Sequence, residues 1–171
     1  MINIAICDDE RAEITYLASL VHKWVTARGV DVRLLDYESA ESFLFACGDD
    51  KTVDVLLLDI QMRAMDGVEL ARQIRRDNEI VQIIFITGYP DFIADGYDVS
   101  ALHYLMKPVK EDKLFEVLNK AAERLKKTEQ FLLWNGYNAP PLWGELIFPS
   151  SAMRRRLRRV NFTRIFGLAI L

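Results

Sequence analysis

Cysteine is nearly absent. Cys7 and Cys47 are the only two in 171 residues, too few for a disulfide framework, and they fit a reducing cytoplasm. Histidine is as scarce. His22 and His103 have no neighbour at the spacing of a metal site or of a nucleophile and its base, so both read as structural. No apolar run is long enough to span a membrane, and the chain opens on a strand pattern, with no basic segment and long apolar stretch of a signal peptide. The expected location is cytoplasmic, without a membrane partner. There is no internal repeat and no low-complexity segment. Acidic residues stop at Glu145, beyond which Arg154, Arg155, Arg156, Arg158, Arg159 and Arg164 stand alone. The net charge of −3 therefore divides into −9 before that point and +6 after it, which separates an acidic body from a basic tail.

What is present is an ordered alternation of short buried strands and amphipathic helices. Strand patterns cover Ile2–Ile6, residues 31–37, Val53–Asp59, Val81–Thr87 and Ala101–Tyr104. Between them lie helical patterns at 10–28, from Ser39 to about Ala46, from Asp66-Gly67 through Arg76, and a short one opening near Asp91. A last helix covers 110–127. Right-handed crossovers turn such an order into a doubly wound, five-stranded parallel α/β sheet covered on both faces.

In that architecture chemistry collects where the strands end. The ends here carry Cys7-Asp8-Asp9-Glu10, Asp59, Thr87, Tyr104 and Lys107-Pro108. Three carboxylates brought together repel one another unless a cation joins them, which asks for a hard divalent metal. A metal, a carboxylate nucleophile and a lysine with a nearby hydroxyl are the parts of a phosphoryl-transfer site. Asp8 and Asp9 also suit the start of the following helix, where negative charge meets the N-terminal dipole. The same acidic turn excludes a flavin or dinucleotide phosphate, which needs glycines and open N–H groups there. A phosphohydrolase would need an acid or base beside Asp59, and Ile60-Gln61 supplies none. Met62, Met65 and Met106 read as packing residues.

These motifs resemble the receiver domain of bacterial two-component response regulators. The resemblance is carried by Ile4-Ala5-Ile6-Cys7-Asp8-Asp9-Glu10, Leu57-Leu58-Asp59-Ile60-Gln61-Met62 with Met65-Asp66-Gly67, Thr87-Gly88-Tyr89, and Ala101 through Lys107-Pro108. It covers residues 1–127 and is greatest to the LytTR type. It implies a flavodoxin-like receiver in which Asp59 accepts a phosphoryl group from a sensor histidine kinase. It implies Mg²⁺ held by Asp9 directly, by Asp8 through water, by Asp59 and by the backbone carbonyl of Gln61. Lys107 would pair with the phosphoryl group, while Thr87 and Tyr104 would form a switch pair. Such a protein is a switch and not a metabolic enzyme, and receivers of this type commonly pair through the face of the fourth helix, the fifth strand and the last helix. Arg63 departs from the pattern, standing where the family commonly has proline.

The tail departs further. Phe131–Trp134 reads as a strand, Asn135-Gly136 as a turn and Leu142–Phe148 as a second strand weakened by Pro140 and Pro141. This stretch resembles the start of the LytTR-type DNA-binding domain, but from Pro149 onward there is no match. Residues 128–171 are thus expected to be an incomplete, poorly ordered β remnant with an arginine-rich end, of truncated or out-of-frame origin. The alternative is a working sequence-specific DNA-binding regulator despite the short output segment.

Overall fold

The computed structural model describes the backbone of residues 1–47, 53–88 and 99–138, with side chains described for 1–46, 53–88 and 99–128. The chain divides into two compact units, Met1–Lys126 and Lys127–Leu171. The elements, in chain order, are β1 (Ile2–Cys7), α1 (Arg11–Arg28), β2 (Val32–Tyr37), α2 (Ala40–Cys47), β3 (Val55–Asp59), α3 (Gly67–Asp77), β4 (Gln82–Thr87), β5 (His103–Met106) and α4 (Glu111–Asn138). The helix expected near Asp91 and the strand expected at Leu142–Phe148 lie outside the described residues, as does the arginine-rich end.

The five strands form one sheet in the order β2-β1-β3-β4-β5, and each neighbouring pair is parallel. Successive side chains on a strand point to opposite faces, and the core divides accordingly. Ile4 and Ile6 of β1, Val55 and Leu57 of β3, and Ile84 and Ile86 of β4 join Leu17, Trp24, Leu114 and Leu118 from α1 and α4. Ala5, Cys7, Leu56, Leu58, Ile83 and Phe85 face the other way, against Phe43 of α2 and Val68, Leu70 and Ala71 of α3. β3 and β4, between them, are almost wholly buried on both faces, which is why their sequences read as continuous apolar runs rather than alternations. Each fully buried Leu or Ile contributes about 1.5–3 kcal/mol.

Polar contacts fix the ends of these elements. Asp54 is buried, and its carboxylate accepts the backbone N–H of Asn3 at 2.9 Å. β3 starts at Val55, two residues later than its apolar pattern. Ser39 and Ser42 exchange reciprocal side-chain to backbone bonds at the start of α2, in the capping role expected of Ser39. The Asp66 carboxylate caps α3 by accepting the N–H of Glu69 at 2.7 Å. Trp24 of α1 donates its indole N–H to Asn119 of α4, satisfying the polar atom of a buried ring.

The start of the tail is helical, against the strand and turn expected there. Phe131–Trp134 does not form a strand, nor Asn135-Gly136 a turn. The backbone of α4 continues through both to Asn138. A short apolar run satisfies either period, and no proline or glycine interrupts the chain between Val109 and Asn135 to stop the helix. Met106 also departs from its expected packing role, since it lies 43% exposed on the edge strand β5. No helix among the described residues is long and apolar enough to cross a membrane.

Candidate functional site

Parallel strands in register finish at a common level. Cys7 pairs with Leu58, so Asp8 follows one strand where Asp59 closes the next. Asp59 pairs with Ile86, and Thr87 closes β4 one residue later. Thr87 pairs with Met106, and its carbonyl accepts the N–H of Lys107 at 2.9 Å. Four strands thus deliver Asp8, Asp59, Thr87 and Lys107 to one rim. Asp8, Asp59 and Thr87 are buried there.

Lys107 joins two of the acids. Its Nζ lies 2.8 Å from Asp8 Oδ2 and 3.2 Å from Asp59 Oδ2. The segment carrying it is held from below, since Val109 is buried and its carbonyl accepts the Tyr16 hydroxyl at 2.7 Å. The Lys107–Pro108 peptide bond is cis. Asp8 Oδ1 accepts the N–H of Glu10 at 2.8 Å, so one carboxylate serves both the rim and the start of α1. Asp9 is more open, and its Oδ2 lies 3.3 Å from Nε of Arg63.

Charge and burial set the acid strengths. Burial pushes the Asp59 carboxyl up to about 6, with the negative charge of Asp8 acting the same way, while Lys107 and the backbone N–H of Gln61 pull it down. For Lys107, burial works against the charged form, but the bond to Asp8 and the charge of Asp59 outweigh it and the net direction is upward. Burial, reinforced by Asp8 and Asp59, drives the Cys7 thiol to about 12, so Cys7 stays a neutral packing group.

Asp8, Asp9 and Asp59 each present a carboxylate oxygen within 4.8 Å of the others. Three hard oxygen donors converging so closely, one of them solvent-accessible, suit a small divalent cation that keeps several waters. Of the other residues singled out in the sequence, Thr87 lies on the rim. The ring of Tyr104 packs inward, stacked on Phe85 at 5.1 Å. Gln61 meets Asp59 through its N–H.

The contacts of two residues, Gly67 and Arg63, were not legible in the sequence. A Cβ on Gly67 would collide with the backbone carbonyl of Asp59, so the helix behind the site approaches the acid as closely as only glycine permits. The available signal was a glycine in a first helical turn, where alanine would favour the helix more. Arg63 stands out in the sequence only as a replacement for proline, and its contact with Asp9 joins two loops that no spacing rule connects.

The family model described as Response regulator receiver domain matches residues 4–119. The Positive alginate biosynthesis regulatory protein of Pseudomonas aeruginosa is 32% identical over 120 residues, covering 70% of this chain and 47% of that protein. Sensory transduction protein LytT of Bacillus subtilis is 28% identical, over 70% of this chain and 48% of its own length. The chain thus spans about half the length of these curated relatives. Among solved structures, response regulator TrrA of Thermotoga maritima, in complex with Mg(2+)-BeF, is 26% identical with a TM-score of 0.62, covering 71% of this chain and 99% of its own. A response regulator receiver domain protein from Clostridium thermocellum matches with a TM-score of 0.66 at 23% identity, over 75% of this chain and 99% of that one.

Proposed function

Because the chain belongs to the response regulator receiver family, we propose that it is the phospho-accepting switch of a two-component phosphorelay, with Asp59 as acceptor. The observation that carries this reading is the convergence of Asp8, Asp9, Asp59 and Lys107 on one rim. A carboxylate oxygen of Asp59 attacks the phosphorus of a donor phosphohistidine on a sensor kinase. The P–N bond breaks as the P–O bond forms, and the imidazole leaves with the electron pair. Lys107 faces the oxygens on which charge gathers. Asp8, Asp9 and Asp59 would hold Mg²⁺, with the Gln61 carbonyl completing the protein ligands. The ion supplies charge neutralisation for the transferring group. The protein then acts as a switch in the cytoplasm and not as a turnover enzyme.

Thr87 and Tyr104 form the relay in this reading. The Thr87 hydroxyl closes on the phosphoryl group and favours the inward packing of Tyr104 on Phe85, a population shift between two packings. The change reaches β5 and the last helix, α4, which together with the fourth helix expected near Asp91 make the face through which two copies would pair. His103 and Met106 are exposed there. Residues 4–119 carry the receiver match, and the LytTR type indicated by the motifs agrees with the likeness to LytT. The regulated output would then be transcriptional.

Incubation with acetyl phosphate and Mg²⁺, followed by intact-mass measurement, tests the reading. One phosphoryl group should add to the wild type and none to Asp59→Asn. Addition that survives the substitution places the acceptor elsewhere. NMR with a beryllofluoride mimic tests the relay, since Thr87→Ala should bind the mimic yet lose the linked shifts around Tyr104.

A further inference from the structure

Each acid of the rim has a protein cation against it. Lys107 bridges Asp8 and Asp59, and Arg63 takes Asp9, Nε to Oδ2 at 3.3 Å. The two cations differ in their setting. The Lys107 side chain is 17% exposed and tightly placed, whereas Arg63 is 91% exposed and reaches in from solvent. Asp9 therefore has a guanidinium on its solvent side and the carboxylates of Asp8 and Asp59 within 4.8 Å on the other.

We propose that Arg63 is a built-in competitor for the metal site and sets the divalent-ion concentration at which the receiver becomes competent. The inference rests on the reading of Asp8, Asp9 and Asp59 as Mg²⁺ ligands. A guanidinium on Oδ2 withdraws charge from the carboxylate that must ligate, and it places a positive group beside a doubly positive ion. Metal entry requires Arg63 to let go. Glu41 lines the same cleft of about 200 Å³ beside Asp9 and Arg63, so a second carboxylate stands within the cleft for a guanidinium that leaves Asp9. The pair is exposed, so the competition is screened by salt and modest in size.

Calorimetric titration of the whole chain with Mg²⁺ tests this, comparing wild type, Arg63→Met, Arg63→Lys and Arg11→Met. Arg11 pairs with Asp36 and Glu38, so its removal deletes the same charge without freeing Asp9. Arg63→Met should bind Mg²⁺ about three- to tenfold more tightly at low ionic strength, with the gain shrinking as salt rises. Arg63→Lys should fall between Arg63→Met and wild type, and Arg11→Met should stay near wild type. Equal or weaker binding by Arg63→Met overturns the proposal, as does an equal gain in Arg11→Met or a full gain in Arg63→Lys. A wild type that binds no Mg²⁺ overturns the metal site itself, a separate outcome from unchanged affinity in the Arg63 variants.

Discussion

At the scale of single residues, the site concentrates charge where water is scarce. Asp59 carries the clearest consequence. Its folded carboxyl titrates at about 6 against an ordinary 3.8, so the native state binds a proton that the unfolded chain has already released. Stability in metal-free buffer should therefore rise as pH falls from above 6 toward 4, and be lost as pH rises through 6. Asp59→Asn removes the strain, and at pH 7.5 it should stabilise the protein by about 2–3 kcal/mol. The gain should narrow near pH 4.5. Urea unfolding at both values checks this, and a gain independent of pH would refute it. Gly67→Ala should do the reverse. The added methyl must displace the Asp59 carbonyl, costing about 2 kcal/mol or more and slowing phosphoryl acceptance; unchanged unfolding and unchanged acceptance would refute the close approach. Asp8, Asp9, Asp59 and Lys107 were legible in the sequence because each closes or follows an apolar run, and parallel strands end together. Arg63 on Asp9 and Gly67 under Asp59 were not, because loop-to-loop contacts follow no period.

At the scale of elements, Arg75 near the end of α3 does what no pattern announces. Its half-buried guanidinium donates to four carbonyls, those of Val99, Asn78, Val81 and Ser100. It ties the end of α3 to the entry of β4 and to the segment leading into β5. Burial lowers its pKa while Glu79 raises it. Arg75→Met should leave these carbonyls without their charged donor and cost about 2 kcal/mol. Hydrogen exchange should quicken around residues 99–102. Unchanged exchange there would show that the tie is not needed. Helices and strands were legible wherever the apolar period was long, as in α1. The error fell at Phe131–Trp134, where a four-residue apolar run carried no period of its own and the helix before it simply went on. The side-chain tie of Asp54 to the N–H of Asn3 was not legible either, because it is a contact across the sheet between residues far apart in sequence.

At the scale of the whole molecule, the layering of the fold follows from the alternation of strands and helices. Strands buried on both faces need helices on both, and the parallel run of the strands brings Asp8, Asp9 and Asp59 to the same end of the sheet. Three carboxylates gathered there by folding form a site that the unfolded chain lacks, so Mg²⁺ should stabilise the native state by linkage. At tenfold above its dissociation constant the gain is about 1.4 kcal/mol. Thermal unfolding should show a higher midpoint with Mg²⁺ in wild type and little change in Asp9→Ala; equal rises in both would remove Asp9 from the ligands. The central claim is that Asp59 becomes an acyl phosphate. Borohydride reduction of the chain after treatment with acetyl phosphate and Mg²⁺, followed by peptide mapping, tests it most directly, because reduction converts a phosphorylated aspartate to homoserine. Homoserine should be found at position 59 and disappear when Mg²⁺ is chelated; homoserine at another aspartate, or none in a chain that has gained a phosphoryl group, would contradict the account.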